Sequence, residues 1–138
     1  MVKIRIVAVS AALALGWGAS SQVVAGNSMS GEQITNMLNG NTTYGKHTRK
    51  DKHGKAFRRA DGTFVGWNSE DGNRTGTWRT QGNKYCRTPD GEAERCFELS
   101  DNGDGTYNMY IQPGNLIMPR KHVWTWTKVV PGYPENLK

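Results

Sequence analysis

The stretch GTWRTQGNKYCRTPDGEAERCFEL, residues 76–99, contains both cysteines of the 138-residue chain and decides how it folds. A Pro-Asp-Gly turn separates two runs in which Thr, Tyr, Phe and Trp recur, a pattern typical of a β-hairpin. Pairing the two runs about Gly91 places Cys86 opposite Cys96. Because directly opposed residues of an antiparallel pair are close enough to be bridged, we predict a Cys86–Cys96 disulfide.

The same register predicts the neighbouring cross-strand pairs. One pair of opposite charge shares the outer face with the cysteines, and one aromatic pair faces the core: Lys84 with Glu98, and Tyr85 with Phe97. A slip of one residue would break all of these pairs together. The register also places Arg87 opposite Arg95 on the inner face, beside the turn, where the hairpin can already lie in solvent.

Outside this hairpin, short segments rich in Thr, Tyr, Phe, Trp and Val alternate with clusters of turn residues, and the chain contains 17 glycines. We predict strands at residues 42–45, 55–59, 63–67, 76–80, 84–88, 95–100, 106–111, 116–118 and 123–129. Regular short spacing of strands and turns favours an antiparallel meander. The predicted fold is therefore mainly β, a small lipocalin-like barrel or half-barrel.

One short N-terminal helix is predicted by SMSGEQITNMLNG, residues 28–40. Ser30 and Gln33 have the spacing of a capping box, and Gly40 stands where the glycine after a helix end is expected. The apolar residues recur with the spacing of a single helix face: Ile34, Met37 and Leu38. A helix this short needs a sheet to pack on.

Residues 1–25 have the pattern of a secretory signal peptide. Lys3 and Arg5 precede an uncharged apolar run at residues 6–17, which is shorter than the span of about 20 residues that a transmembrane helix needs. Cleavage would remove two positive charges, lowering the formal charge from +6 to +4, and leave one β-rich domain at residues 26–138. We therefore expect a periplasmic or secreted protein with oxidised cysteines and no transmembrane segment after cleavage.

The order of helix, GNTTYG, ADGTFVG, GTWRTQGNKYC, ERCFEL and DGTY resembles a group of small exported bacterial proteins of unknown function. The resemblance covers most of the expected mature chain, and its motifs consist mainly of turn and core residues. It implies a secreted, disulfide-bridged β-domain and brings no catalytic residues with it.

The segment KHTRKDKHGKAFRR, residues 46–59 and hereafter the basic segment, has the highest density of positive charge in the chain. Its candidate partner-binding residues are Lys46, His47, Arg49, Lys50, Lys52, His53, Lys55, Arg58 and Arg59. Such a segment favours an anionic partner, here an acidic envelope component or protein; the alternative is a solvated loop. DNA is not an expected partner, because few aromatic residues are interleaved and the chain is expected to be exported.

Tryptophan is frequent for so small a domain, and the expected mature chain contains Trp67, Trp78, Trp124 and Trp126. Trp124 and Trp126 are two residues apart, so they share one face of a strand. If that face points into a barrel, these rings could line a pocket for a small apolar or aromatic ligand. The alternative is that they form the core itself.

The three histidines are His47, His53 and His122, and their spacing matches no known metal-ligand motif. A copper site built from His47 and His53, with His122 or Met118, is conceivable in the periplasm. We expect surface histidines instead, and neither a metal nor another cofactor.

Catalysis has little support in the sequence. The chain has no Gly-x-Ser-x-Gly and no evident Ser-His-Asp arrangement, and oxidised cysteines are not nucleophiles. We expect an exported, non-catalytic binding protein that uses the basic segment. The alternative is a small-ligand carrier with a Trp-lined barrel pocket, and a hydrolase of unknown type comes third. The sequence leaves the oligomeric state open.

Overall fold

The computed structural model describes residues 27–114 and 117–133, which form a closed barrel of antiparallel strands with one added strand and one helix. The predicted signal peptide at residues 1–25 lies outside the described residues. The elements are β1 (Asn27–Ser28), α1 (Gly31–Leu38), β2 (Asn41–His47), β3 (His53–Arg58), β4 (Thr63–Asn68), β5 (Gly72–Gln81), β6 (Lys84–Pro89), β7 (Arg95–Asp101), β8 (Tyr107–Ile111) and β9 (Lys121–Pro131).

The barrel consists of β2 to β9, each strand pairing with the next along the chain, and β9 closes it by pairing with β2. The short strand β1 pairs with the end of β7 that extends past β6. The mainly β meander is therefore confirmed, and the choice between barrel and half-barrel is resolved in favour of closure. A closed barrel leaves no long unpaired edge.

The predicted strand at residues 116–118 is wrong. Residue 116 lies outside the described residues, and Ile117 and Met118 lie in a turn between β8 and β9. Pro113 and Pro119 flank this stretch, and proline cannot donate a hydrogen bond to a strand ladder. The apolar residues Ile117 and Met118 therefore do not form a strand.

The register of the β6–β7 hairpin is confirmed. The pairs found in the structure are Lys84 with Glu98, Tyr85 with Phe97, Cys86 with Cys96, and Arg87 with Arg95. The predicted disulfide joins Cys86 to Cys96 on the outer face of the barrel, where Cys86 is buried and Cys96 is half-buried. The disulfide therefore links the neighbouring barrel strands β6 and β7 covalently.

Helix α1 closes one end of the barrel. Its N-terminus has the predicted capping box, in which Ser30 Oγ accepts from the Gln33 N–H and Gln33 Oε1 accepts from the Ser30 N–H. Ile34 and Leu38 are fully buried and face the barrel interior. The glycine predicted to follow the helix end is also confirmed, because Gly40 comes directly after the helix cap and has a positive φ of 74°.

The core fills the half of the barrel next to α1. Its buried side chains are Met29, Ile34, Leu38, Phe64, Trp78, Tyr85, Phe97, Leu99, Met109 and Trp126. Alternation along each strand brings these residues to the inner face and sends neighbours such as Thr75 and Thr77 to solvent. In the described part of the chain, no helix has the length and apolar character needed to cross a membrane.

Candidate functional site

The half of the barrel that faces away from α1 contains a cavity of about 260 Å³. Its lining includes His47 at the end of β2, Arg74 near the start of β5 and Ile111 at the end of β8, all remote from the helix. Exposed Lys50 and Arg95 also border the cavity, so it opens to solvent at this end. The barrel is thus closed at one end by α1 and open to solvent at the other.

Small residues on three adjacent strands leave this space open. The inner face presents Gly45 on β2, Gly54 and Ala56 on β3, and Gly66 on β4. An eight-stranded barrel normally has an interior just wide enough for its own side chains to fill. Gly45 has a second role, because a Cβ there would lie 2.2 Å from Trp124 Nε1. The indole of Trp124 therefore lies directly over this glycine.

One wall of the cavity is apolar and comes from β7, β8 and β9. It consists of Phe97, Met109, Ile111, Val123, Trp124 and Trp126. The structure thus brings together Trp124 and Trp126, the pair predicted to share a face. Trp78 instead belongs to the core, where its Nε1 donates to the Arg59 carbonyl (2.9 Å). Trp67 borders the cavity, but its ring packs against the exposed His53.

The opposite wall is cationic. It carries guanidinium groups from β3, β5 and β6, namely those of Arg58, Arg74 and Arg87. Lys50, Lys52 and Arg95 also border the cavity, and no Asp or Glu of the described residues lines it. Burial, together with the neighbouring cations Arg58, Arg74 and Arg95, lowers the pKa of Arg87. The cavity therefore holds a concentration of positive charge.

Arg58 lies deepest among these cations and is only 3% exposed. Its Nε donates to Tyr85 Oη (2.9 Å), and its Nη1 donates to Thr43 Oγ1 (2.8 Å) and to the Ala56 carbonyl (3.4 Å). The guanidinium also stacks on the rings of Tyr85 and Trp126, at 4.9 and 5.0 Å from their centroids. All of these partners are neutral.

The structure divides the basic segment instead of keeping it as one surface. Arg58 points into the barrel, while Lys50 and Lys52 border the opening of the cavity. Lys46 and Arg49 are exposed. Of the remaining members of the predicted set, His47 borders the cavity. His53 and Lys55 lie on the outer face of β3, and Arg59 follows that strand. The segment therefore contributes to the cavity as well as to the surface.

The histidines are not brought together into a metal site. His47 lies beside the cavity, and its Nδ1 accepts hydrogen bonds from the Arg49 and Lys50 N–H groups, both at 3.1 Å. His122 bonds Thr125 on β9. Among the described residues, the compact set of candidate ligand atoms is Cys86, Glu94 and Cys96, and the disulfide already occupies both sulfurs.

His47 makes stability depend on pH. Burial, followed by the charges of Lys50 and Lys52, lowers its pKa, and Glu70 only partly opposes this. As pH falls from about 7.5 to about 5.5, the unfolded chain binds a proton at this site before the folded one, so stability is lost. The amide oxygen of a His47→Asn variant can accept the same backbone hydrogen bonds, so we expect its free energy of unfolding to fall less between these pH values. Denaturant unfolding at both pH values checks this. A fall as large as that of the wild type would contradict it.

The sequence pattern did not identify Arg74 or the small residues as lining groups. The sequence places Arg87 and Arg95 on the inner face, but beside the turn, where it predicts exposure to solvent. The missing signal was strand phase: Arg74 is four residues from Trp78, and Ala56 is two from Arg58, so each pair shares a face. Once Trp78 and Arg58 are known to be buried, Arg74 and Ala56 are assigned to the barrel interior as well.

Comparison of the chain with protein-family models, with curated proteins and with solved structures finds no match.

Proposed function

We propose that the protein is an exported, non-catalytic carrier that binds one small organic molecule inside its barrel. The observation that carries the proposal is the cavity of about 260 Å³, closed by α1 and open at the other end. A cavity of about 150 Å³ in an engineered core binds benzene, so this one has room for a larger molecule. Export rests on the predicted signal peptide and on the disulfide.

The basic segment supports the same site. Lys50 and Arg58 of this segment border the cavity without a salt-bridge partner among the described residues, so their charge acts on a ligand held there. Binding of an acidic envelope component or protein stays a prediction for the exposed Lys46 and Arg49. A hydrolase receives less support, because the described lining offers no Asp or Glu to form an acid–base pair.

Filling the cavity is expected to abolish binding. The inward-facing Ala56 borders the cavity from β3, and the phenyl ring of an Ala56→Phe variant would occupy the space beside Arg58. Two dyes serve as probes: neutral N-phenylnaphthylamine and its sulfonated analogue, anilinonaphthalene sulfonate. We expect at least one dye to bind the wild type with a stoichiometry of one molecule per chain. Its affinity for the variant should be at least tenfold lower, as measured by fluorescence titration.

The matched control adds the same ring outside the barrel. Thr77 is an exposed, outward-facing residue of β5, so Thr77→Phe should bind as the wild type does. Circular dichroism and thermal unfolding establish that both variants are folded. If neither dye binds the wild type, or if Ala56→Phe binds as well as Thr77→Phe, the carrier proposal fails.

A further inference from the structure

The charge inside the barrel lacks a counter-ion in the protein. Arg58 is almost completely buried, yet it forms no salt bridge with any described residue, and its Nε and Nη1 donate only to neutral groups. A charge taken out of water is costly unless it is paired and hydrogen-bonded. The neutral oxygens of Tyr85 and Thr43 satisfy only part of the guanidinium.

Arg87 is the next inward-facing residue after Tyr85 along β6, which places it one step from Arg58 towards the opening. It contacts the ring of Phe97 at 5.5 Å from the centroid, and no described carboxylate pairs with it. Arg95 faces it across the β6–β7 ladder and also lacks a salt bridge within the described residues. Three cations therefore converge on one space without an acid between them.

The rim of the barrel is built differently. Lys52 pairs with Glu70 (2.8 Å) and Asp71 (3.4 Å), and Arg74 pairs with Asp71 (3.3 Å) and with Glu92. Carboxylates are therefore available at the open end, and they neutralise Lys52 and Arg74 there. Arg58 and Arg87 point into the cavity and have no such carboxylate partner among the described residues, which indicates that the missing acid comes from the ligand.

We propose that the ligand is an amphipathic organic anion, with its acidic group on Arg58 and Arg87 and its apolar body against the β7–β9 wall; this inference rests on the proposed function. A guanidinium binds carboxylate, sulfonate or phosphate oxygens through paired N–H groups. Trp124, Trp126 and Met109 present mainly apolar surface, with the two indole N–H groups as their only donors, and they favour an apolar or aromatic body.

Other occupants fit less well. An inorganic anion would satisfy the guanidinium groups but would leave the apolar wall facing water. A neutral apolar molecule would cover that wall but would leave Arg58 buried and unpaired. An acidic macromolecule could reach the exposed Arg95 at the opening, but its backbone would not fit into a cavity of about 260 Å³. Only a small molecule with both properties matches both walls.

The two dyes test this directly, because they differ by one sulfonate group. We expect the wild type to bind anilinonaphthalene sulfonate at least tenfold more tightly than N-phenylnaphthylamine. Arg58→Gln and Arg87→Gln should each lower affinity for the sulfonate at least tenfold and leave affinity for the neutral dye within about twofold. Arg79→Gln is the matched control, because Arg79 pairs with Glu94 on the outer surface, and it should bind both dyes as the wild type does.

The outcomes separate the inference from the proposed function. Equal affinity for the two dyes, or sulfonate binding unaffected by both arginine variants, would overturn the anion assignment while leaving a carrier of neutral ligands. Inorganic phosphate should compete only weakly with the sulfonate, since it makes no contact with the apolar wall; strong competition would overturn the amphipathic part. If Arg58→Gln does not fold, Arg87→Gln, at a half-buried position, decides the question.

Discussion

Replacing Trp126 with alanine is expected to lower the free energy of unfolding by about 3–5 kcal/mol. Trp126 is only 3% exposed and lies at the boundary between the core and the cavity. Its ring packs edge-on to Tyr85, with 5.7 Å between centroids, and under the guanidinium of Arg58. Alanine would remove both contacts and leave a void that the barrel strands cannot close. Chemical denaturation followed by circular dichroism measures the loss.

Trp124→Ala is the matched control for this prediction, since it removes the same side chain from the same wall. Trp124 is only partly buried, and its ring borders the open part of the cavity. Solvent can occupy the space it leaves, so we expect a clearly smaller loss than for Trp126. Equal losses for the two variants would mean that the barrel is held together at its open end, contrary to the packing described above.

The hairpin could be predicted from sequence because several independent signals agree on one register. A disulfide, an opposite-charge pair and an aromatic pair all require Cys86 to face Cys96, and the turn at Gly91 is the right length. The helix was equally well specified, since its capping box and its apolar face are local patterns. Local signals of this kind do not depend on the rest of the fold.

Closure of the barrel could not be predicted in the same way. The β2–β9 pairing joins residues far apart in sequence, such as Thr43 and Val129, and no turn between them sets their register. Both pairings of β9 also contain a register shift, which a strict alternation of residues does not reveal. The sequence alone therefore does not distinguish a closed barrel from a half-barrel.

The candidate site was predicted only in fragments. The sequence supports separate hypotheses for the basic segment and for the tryptophans, because Trp124 and Trp126 lie far from the basic segment along the chain. The closed barrel brings Arg58 from one and Trp126 from the other into contact. A buried arginine also contradicts the general expectation that charged residues lie in solvent, so composition alone assigns Arg58 to the surface. Its position follows from β3 pairing and from its bond to Tyr85.

Removing the disulfide, with Cys86→Ala and Cys96→Ala together, is expected to cost about 2–3 kcal/mol of unfolding free energy. The two residues are 10 apart in sequence, so the bond closes a short loop and restricts the unfolded chain only moderately. The cost is nevertheless large for a domain whose total stability is of the order of 5–15 kcal/mol. Urea unfolding of the wild type and the double variant measures it.

Reductant provides the control. The wild type unfolded in the presence of a thiol reductant should lose stability by a similar amount, because the bond becomes accessible in the unfolded chain, whereas the double variant should be unaffected. A wild type that is indifferent to reductant would contradict a stabilising role. A domain that depends on this disulfide folds best where thiols are oxidised. The yield of folded protein should therefore be higher when the chain is directed to an oxidising compartment than when it is made in a reducing cytoplasm.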